Sequence, residues 1–313
     1  MCHNRRTNPA SALMESCRGK KLAMLRTRFH NPAPGLEHFV RFYVQREVQI
    51  RGAAVIHPVP ARAAAMIEFD FGDPIHAVDY AQGTGRKSPM VIVVGPQTYR
   101  RVELQLQGTL ESFVIMFQPD GLHRLFSIPM HELTNRDYEA HSVLGGFIED
   151  ARQRMGNERY FEERVRLIND LLLRQSLRSP SFDGISAAAH RIIHAGGRVK
   201  LAPLAKSAGL GVRQFERRFI QQVGMRPKLF ARIARFEAAL ESKARFITRS
   251  WTDVAHDFGY YDQMHMVHDF AEFTGGTPTE TITQLETVFV EQIKTMRLGT
   301  ASAKEVGHAR LIL

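Results

Sequence analysis

Leu201-Ala-Pro-Leu204-Ala205-Lys-Ser-Ala-Gly209-Leu-Gly211-Val-Arg213-Gln-Phe215-Glu-Arg217-Arg-Phe219-Ile-Gln-Gln-Val-Gly224-Met-Arg-Pro227 has a counterpart further along the chain. It is Trp251-Thr-Asp-Val254-Ala255-His-Asp-Phe-Gly259-Tyr-Tyr-Asp-Gln263-Met-His-Met266-Val-His-Asp-Phe270-Ala-Glu-Phe-Thr-Gly275-Gly-Thr-Pro278. Leu201, Leu204, Ala205 and Gly209 recur 50 positions on as Trp251, Val254, Ala255 and Gly259. Phe219, Gly224 and Pro227 recur 51 positions on as Phe270, Gly275 and Pro278, so one residue has been added after Gly259.

Each repeated residue type has a physical role. A small Ala lets one helix cross closely over another, and the Gly four residues later supplies the positive φ of a tight turn. A second helix follows, over about 212–223 and about 263–274. Its apolar anchors are Phe215, Phe219 and Val223 in one copy and Met266, Phe270 and Phe273 in the other. Gly224 and Gly275 end these helices, and Pro227 and Pro278 open the next at a favoured early position. Helix, tight turn and helix is the helix-turn-helix plan, whose second helix enters the DNA major groove. Two helical hairpins in a plain α domain are the alternative, but two matching copies joined by one helix are more specific than that.

Charge supports a polyanionic partner. The chain of 313 residues has a formal net charge of +10, which alone is weak evidence. Its distribution is more telling: Arg191 to Arg249 holds fourteen Lys or Arg against three acids, whereas Trp251 to Ile293 holds none against eight acids. Phosphate contact by Lys and Arg dominates DNA affinity. The first unit is therefore expected to carry most of the binding energy. The second would dock through polar side chains and helix N-termini, or turn its acidic face to RNA polymerase or the front domain.

Gly211-Val-Arg-Gln-Phe-Glu-Arg-Arg-Phe219, Gly224-Met-Arg-Pro-Lys228 and Arg235-Phe-Glu-Ala-Ala-Leu240 resemble the first half of an AraC/XylS-type regulator domain. Asp253-Val-Ala-His-Asp-Phe-Gly-Tyr-Tyr-Asp-Gln263 and Phe270-Ala-Glu-Phe-Thr-Gly-Gly-Thr-Pro278 resemble its second half. The resemblance covers roughly 185–285, and more loosely 30–175 is similar to the sensor domains of some members. It implies sequence-specific promoter binding, often at two tandem half-sites and often under a small-molecule effector. By position, the first recognition helix would present Gly211, Arg213, Gln214, Glu216 and Arg217, and the second Gln263, Met264, His265 and His268. Arg213 and Arg217 share a face and either could grip guanine, Glu216 could accept from cytosine, and Gln263 could pair with adenine. Family members often carry Arg where His268 stands, and a neutral His is a weaker reader. Arg218, Lys228 and Arg232 are phosphate candidates. For Arg235, phosphate contact and a structural ion pair stand level. Asp262 is a good N-cap.

The front of the chain reads differently. Phe39–Val44, Met66–Phe71, Met90–Val94, Val102–Leu106 and Phe113–Phe117 have strand composition, with breaks at Gly72-Asp73-Pro74, Gly95-Pro96, Gly108 and Pro119-Asp120-Gly121. Residues 140–177 have helical spacing broken at Gly156-Asn157; packing on the β domain is the simpler reading, pairing between subunits the other. The expected fold class is α+β: a β-rich sandwich or barrel-like sensor domain with a helical bridge, then an all-α domain with two helix-turn-helix units. The expected divisions are a disordered leader over 1–29, the sensor domain over 30–177, a linker over 178–184, the double helix-turn-helix over 185–290 and a tail over 291–313.

No enzyme is expected. His57, His76 and His123 are scattered without metal-ligand spacing, and no P-loop, GxSxG or GxGxxG occurs. No cofactor or metal is called for. Gly83-Thr-Gly85 reads as a loop, and Arg100 and Arg101 are candidates for an acidic effector, with solvation the simpler reading for at least one. Cys2 and Cys17, both in the leader, form no disulfide framework and suit a reducing cytoplasm. No run suggests a membrane span or a secretory signal. The expected partners are double-stranded promoter DNA, with RNA polymerase, a small effector and a second copy as further possibilities.

Overall fold

The computed structural model describes residues 22–284. Cys2, Cys17, most of the expected leader and the expected tail lie outside the described residues. Residues 22–29, expected as part of the leader, are strand. Leu22–His30 forms β1, antiparallel to Val40–Val59, β2, because Glu47 of β2 pairs with Arg28 and the Phe29 ring meets Phe42 at 6.0 Å.

Six further strands complete one antiparallel sheet: β3 (Met66–Asp70), β4 (His76–Asp79), β5 (Gly85–Lys87), β6 (Val91–Val94), β7 (Val102–Phe117) and β8 (Asp137–Glu139). The order is β1-β2-β7-β3-β6-β8, with β4 joining β7 and β5 joining β4. The two runs expected on either side of Gly108 are one strand. Gly108 (φ 79°) faces the shift in the β2–β7 register between Ile50 and Val55, so it bends the ladder instead of ending it. Before the bend, β7 pairs with β4; beyond it, with β3. The hairpin β4–β5 was not legible because β5 is short and fully exposed, nor was the full length of β2, whose middle holds the exposed Arg51, Gly52 and Ala53 where the alternation breaks.

Alternation along the strands gives the sheet two apolar faces. Tyr43, Ile67, Phe69, Phe113, Ile115 and Phe117 pack under α4 (Gly146–Gly156) and α5 (Phe161–Ser176), beside the short α1 (Gly121–Phe126), α2 (Met130–Leu133) and α3 (Ala140–Leu144). The opposite face gathers Phe42, Val44, Met66, Val114 and Met116. Two polar insertions fix α5 on the sheet. Asn169 Oδ1 accepts from the Tyr43 hydroxyl at 2.7 Å, and the buried Arg164 pairs with Glu111, donates to Gln45 and lies 4.0 Å from the Phe71 ring centroid.

The C-terminal region is all helix: α6 (Gly184–His194), α7 (Leu201–Ser207), α8 (Val212–Val223), α9 (Pro227–Arg245), α10 (Trp251–Asp257) and α11 (Gln263–Thr274). The expected repeat is reproduced element by element. α7 and α10 have 7 residues each, and α8 and α11 have 12 each. Gly209 and Gly259 take φ 68° and 69° in the two turns, and the added residue lies between Gly259 and α11. α9 serves both units with aromatic anchors: Phe230 meets Phe219 of α8 at 5.4 Å, and Phe236 meets Phe270 and Phe273 of α11 at 4.9 and 5.4 Å. Such pairs contribute about 0.5–1.5 kcal/mol each beyond the area they bury.

Candidate nucleic-acid interface

In each unit the N-terminal half of the second helix is exposed. Gly211 is the N-cap of α8, and Arg213, Gln214 and Arg217 project from its exposed face. Glu216 is half-buried. Among the described residues no carboxylate forms an ion pair with Arg213 or Arg217, which leaves two guanidinium forks on one helix face, a geometry able to grip adjacent acceptors on guanine. Opposite this face, Phe215, Phe219 and Val223 are fully buried.

Other cations of the same region are held internally. Arg218 donates to Asp183 Oδ2 at 2.7 Å, and Gln222 adds a donor at 3.1 Å. Asp183 caps α6, its Oδ1 accepting from Ile185 N and Ser186 N at 2.8 and 3.0 Å. Burial works against its charge, yet the Ser186 and Ile185 amides, Gln222 and Arg218 together hold its carboxyl below the usual range. Arg232 is bound more tightly still. It donates to the buried Asp269 through Nε at 3.1 Å and Nη2 at 2.6 Å, and to Glu272 at 2.6 Å. Burial opposes its charge, but the Glu272 and Asp269 carboxylates hold the guanidinium more firmly protonated than usual. Arg218 and Arg232, expected at phosphate, therefore act as struts, the first between α8 and α6 and the second between α9 and α11. The opposing carboxylates lie distant in sequence, which is why the pairings did not show there. Arg235 sits over the Tyr260 ring at 5.3 Å, a structural position. Lys228 is exposed at the start of α9 beside Arg226, the exposed N-cap of that helix and a further cation not among the expected site residues. The signal for Arg226 was its place between a helix-ending Gly and a helix-opening Pro.

In the second unit Gln263, Met264, His265 and His268 are all exposed. Asp262 is the N-cap of α11, accepting from His265 N at 2.7 Å. Thr252 of α10 donates to Gln263 Oε1 at 3.1 Å, which orients the amide. Tyr261, 92% exposed, and Met264, 59% exposed, stand beside these side chains. The second unit thus offers polar and apolar groups where the first offers guanidinium groups.

The front domain leaves the recognition faces open and holds the helices from behind. Arg100, only 9% exposed, pairs with Glu103, stacks on Tyr80 and donates to Thr274 O, and Arg101 pairs with Asp137. Neither is the solvated side chain expected of at least one of them. A cavity of about 280 Å³ lies between the domains, bounded by Arg41, Phe42, Arg62 and Met116 of the front domain and by Glu237 and Phe246 of α9 and its end. The described residues contain no group of three or more His, Cys, Asp or Glu placed to hold a metal, and no helix long and apolar enough to cross a membrane.

A family model agrees with the helix-turn-helix geometry. Residues 204–284 match the family model of a helix-turn-helix domain, and residues 28–139 match that of a domain of unknown function (DUF6597). No curated protein matches the chain. Among solved structures it is similar to ToxT from Vibrio cholerae O395, at 10% identity, with a TM-score of 0.46 over 78% of this chain and 98% of that one. It is more distantly similar to the AraC-like transcriptional activator CuxR, at 12% identity, with a TM-score of 0.24 over 66% of this chain and 84% of that one. The matched model makes residues 204–284 a helix-turn-helix domain, and with the doubled unit the chain is a DNA-binding transcription regulator whose motifs resemble the AraC/XylS type.

Proposed function

We infer that the first unit supplies most of the DNA-binding energy, with Arg213 and Arg217 reading bases and Arg226 and Lys228 meeting phosphates. The observation that carries this reading is the contrast on the recognition side. α8 exposes two guanidinium groups outside the internal ion pairs, whereas the described part of the second unit, Trp251 to Gln284, contains no Lys or Arg. α11 then adds weaker contacts through Gln263, His265 and His268, and its exposed Tyr261 and Met264 beside Asp262 suit a protein partner such as RNA polymerase. The chain acts as a one-component regulator, and an effector would seat in the cavity between the domains. A ligand there touches both domains, and its preference for one arrangement couples to DNA affinity reciprocally.

The test is selection of genomic DNA fragments by the full-length wild type beside Arg217→Ala. The wild type is expected to enrich one motif, and the variant to lose preference for guanine at one position while keeping the rest. A footprint equally salt-sensitive and equally strong over both half-sites would sink the asymmetry. Failure of the wild type to enrich any sequence would remove Arg213 and Arg217 as readers.

A further inference from the structure

The two recognition helices end against the same face of the front domain. α8 ends at Gly224, φ 98°, and the Thr134 hydroxyl donates to the Gly224 carbonyl at 2.7 Å. A Cβ at Gly224 would lie 2.6 Å from Thr134 Oγ1, 3.0 Å from Met130 O and 3.3 Å from a Pro96 carbon, so the helix end is pressed onto that loop. α11 ends at Gly275, φ 74°, and Arg100 Nη1 donates to Thr274 O at 3.1 Å. Ala61 N donates to Phe273 O at 2.8 Å, and the Tyr80 ring, stacked on Arg100 at 4.1 Å, packs against Gly275.

These contacts belong to one connected piece of the front domain. Pro96 and Arg100 lie on the single loop between β6 and β7. Asn135, next to Thr134, donates its backbone N–H to Pro96 O at 2.8 Å and accepts from Thr98 N at 2.7 Å. Gln97 exchanges backbone hydrogen bonds with Arg62 at 2.8 Å in both directions, which ties the loop to Ala61. A segment of five residues thus reaches the C-terminal end of both recognition helices, and its own backbone is braced at three points.

We propose that this loop is a yoke that fixes the separation of the two recognition helices, with Thr134 and Arg100 as positioning residues that set the half-site spacing the protein accepts. Orphan carbonyls at a helix C-terminus are strong acceptors, so a donor from another domain fixes the helix end as well as satisfying it. Two recognition helices meet successive major grooves only when their separation matches one helical turn, about 34–36 Å. Helix α9 joins the units through Phe230, Phe236 and Arg232, and the front-domain contacts add a second, independent constraint at the extreme C-terminal ends of α8 and α11. The proposal deepens the two-unit reading above and rests on α11 touching DNA at all.

The experiment uses the full-length chain as wild type and as the double variant Arg100→Gln with Thr134→Val. Each selects from a random duplex library, and a second measurement needs no DNA. The wild type is expected to return two half-site motifs at one spacing. The double variant is expected to return the same motifs spread over roughly half a helical turn, about 5 base pairs. Thr134→Ser, which keeps the donor, is expected to hold the wild-type spacing. A double variant that keeps the single spacing overturns the yoke. A wild type that returns only one half-site also overturns it, through failure of the two-unit reading, and the two failures are told apart by the number of motifs. In the second measurement, spin labels at Gln221→Cys and Ala271→Cys, in a Cys2→Ser and Cys17→Ser background, report the distance between the exposed faces of α8 and α11. A narrow distribution in the wild type is expected to broaden in the double variant as further arrangements become populated. Equal widths overturn the proposal whatever the DNA selection returns.

Discussion

Asp269 is the acid whose removal should loosen the second unit most. Its side chain is 1% exposed and receives two hydrogen bonds from Arg232, across the contact between α11 and α9. Hydrogen bonds to a charged group are worth about 1.5–3 kcal/mol each, and removing one partner of a fully buried pair costs about 3–5 kcal/mol. Here Arg232 is 31% exposed and keeps Glu272, so its charge is not stranded when Asp269 is removed. Asp269→Ala should therefore fall below that range, at about 2 kcal/mol, or a fall in Tm of about 4–8 °C. The attraction itself is measured by a double-mutant cycle with Arg232→Met, followed by urea denaturation. A coupling of about 1.5 kcal/mol is expected, in line with contacting charged pairs. A coupling below about 0.5 kcal/mol, the size of a surface pair, would refute the claim that this bridge holds α11 to α9. Hydrogen exchange should show the loss first in α11, because the Phe215–Phe219–Phe230 packing of the first unit does not touch Asp269.

Arg217→Ala should weaken specific DNA binding by about 1–3 kcal/mol, about 5- to 150-fold, with lost discrimination at one base pair; a uniform loss across sequences would assign it to phosphate instead. Lys228→Ala should reduce the salt slope of binding by about one unit without changing the motif, and an unchanged slope would remove it from the phosphate contacts. Burial and the neighbouring Glu68 push the Asp70 carboxyl up to about 8. Its folded value exceeds its unfolded one, so the stability its proton confers is complete below about pH 4 and is lost as pH rises through about 8. Asp70→Asn should flatten that loss in a Tm-against-pH series, and parallel profiles would show that Asp70 does not titrate in the fold. Asp183 has the opposite sign: its lowered value gives stability that is present at neutral pH and lost in acid, and Asp183→Ala should cost about 1 kcal/mol through the lost α6 cap while freeing Arg218. A melt insensitive to this change would deny the cap its role.

The sequence by itself determined the doubled helix-turn-helix, down to helices 212–223 and 263–274. Its signals are local: a glycine that must adopt positive φ, a small residue at a crossing and apolar anchors one turn apart act within a dozen residues. It also placed Arg213 and Arg217 on one exposed face and the strand Phe113–Phe117 in the core, since periodicity alone specifies a face. The sheet's connectivity was less legible. Gly108 reads as a turn until the partner strand is seen to bend with it, and the alternation of Leu22–His30 is masked by cations whose partner Glu47 lies across the ladder. Only the tertiary structure decided which cations enter internal ion pairs. Arg218 and Arg217 are neighbours of one type, yet Asp183, 35 residues away, engages the first. Arg232 is likewise claimed by Asp269 and Glu272, and Arg100 by a helix end in the other domain. Ion pairing depends on distances that the chain sets only once it has folded, so residue type and spacing cannot distinguish a reader of DNA from a strut.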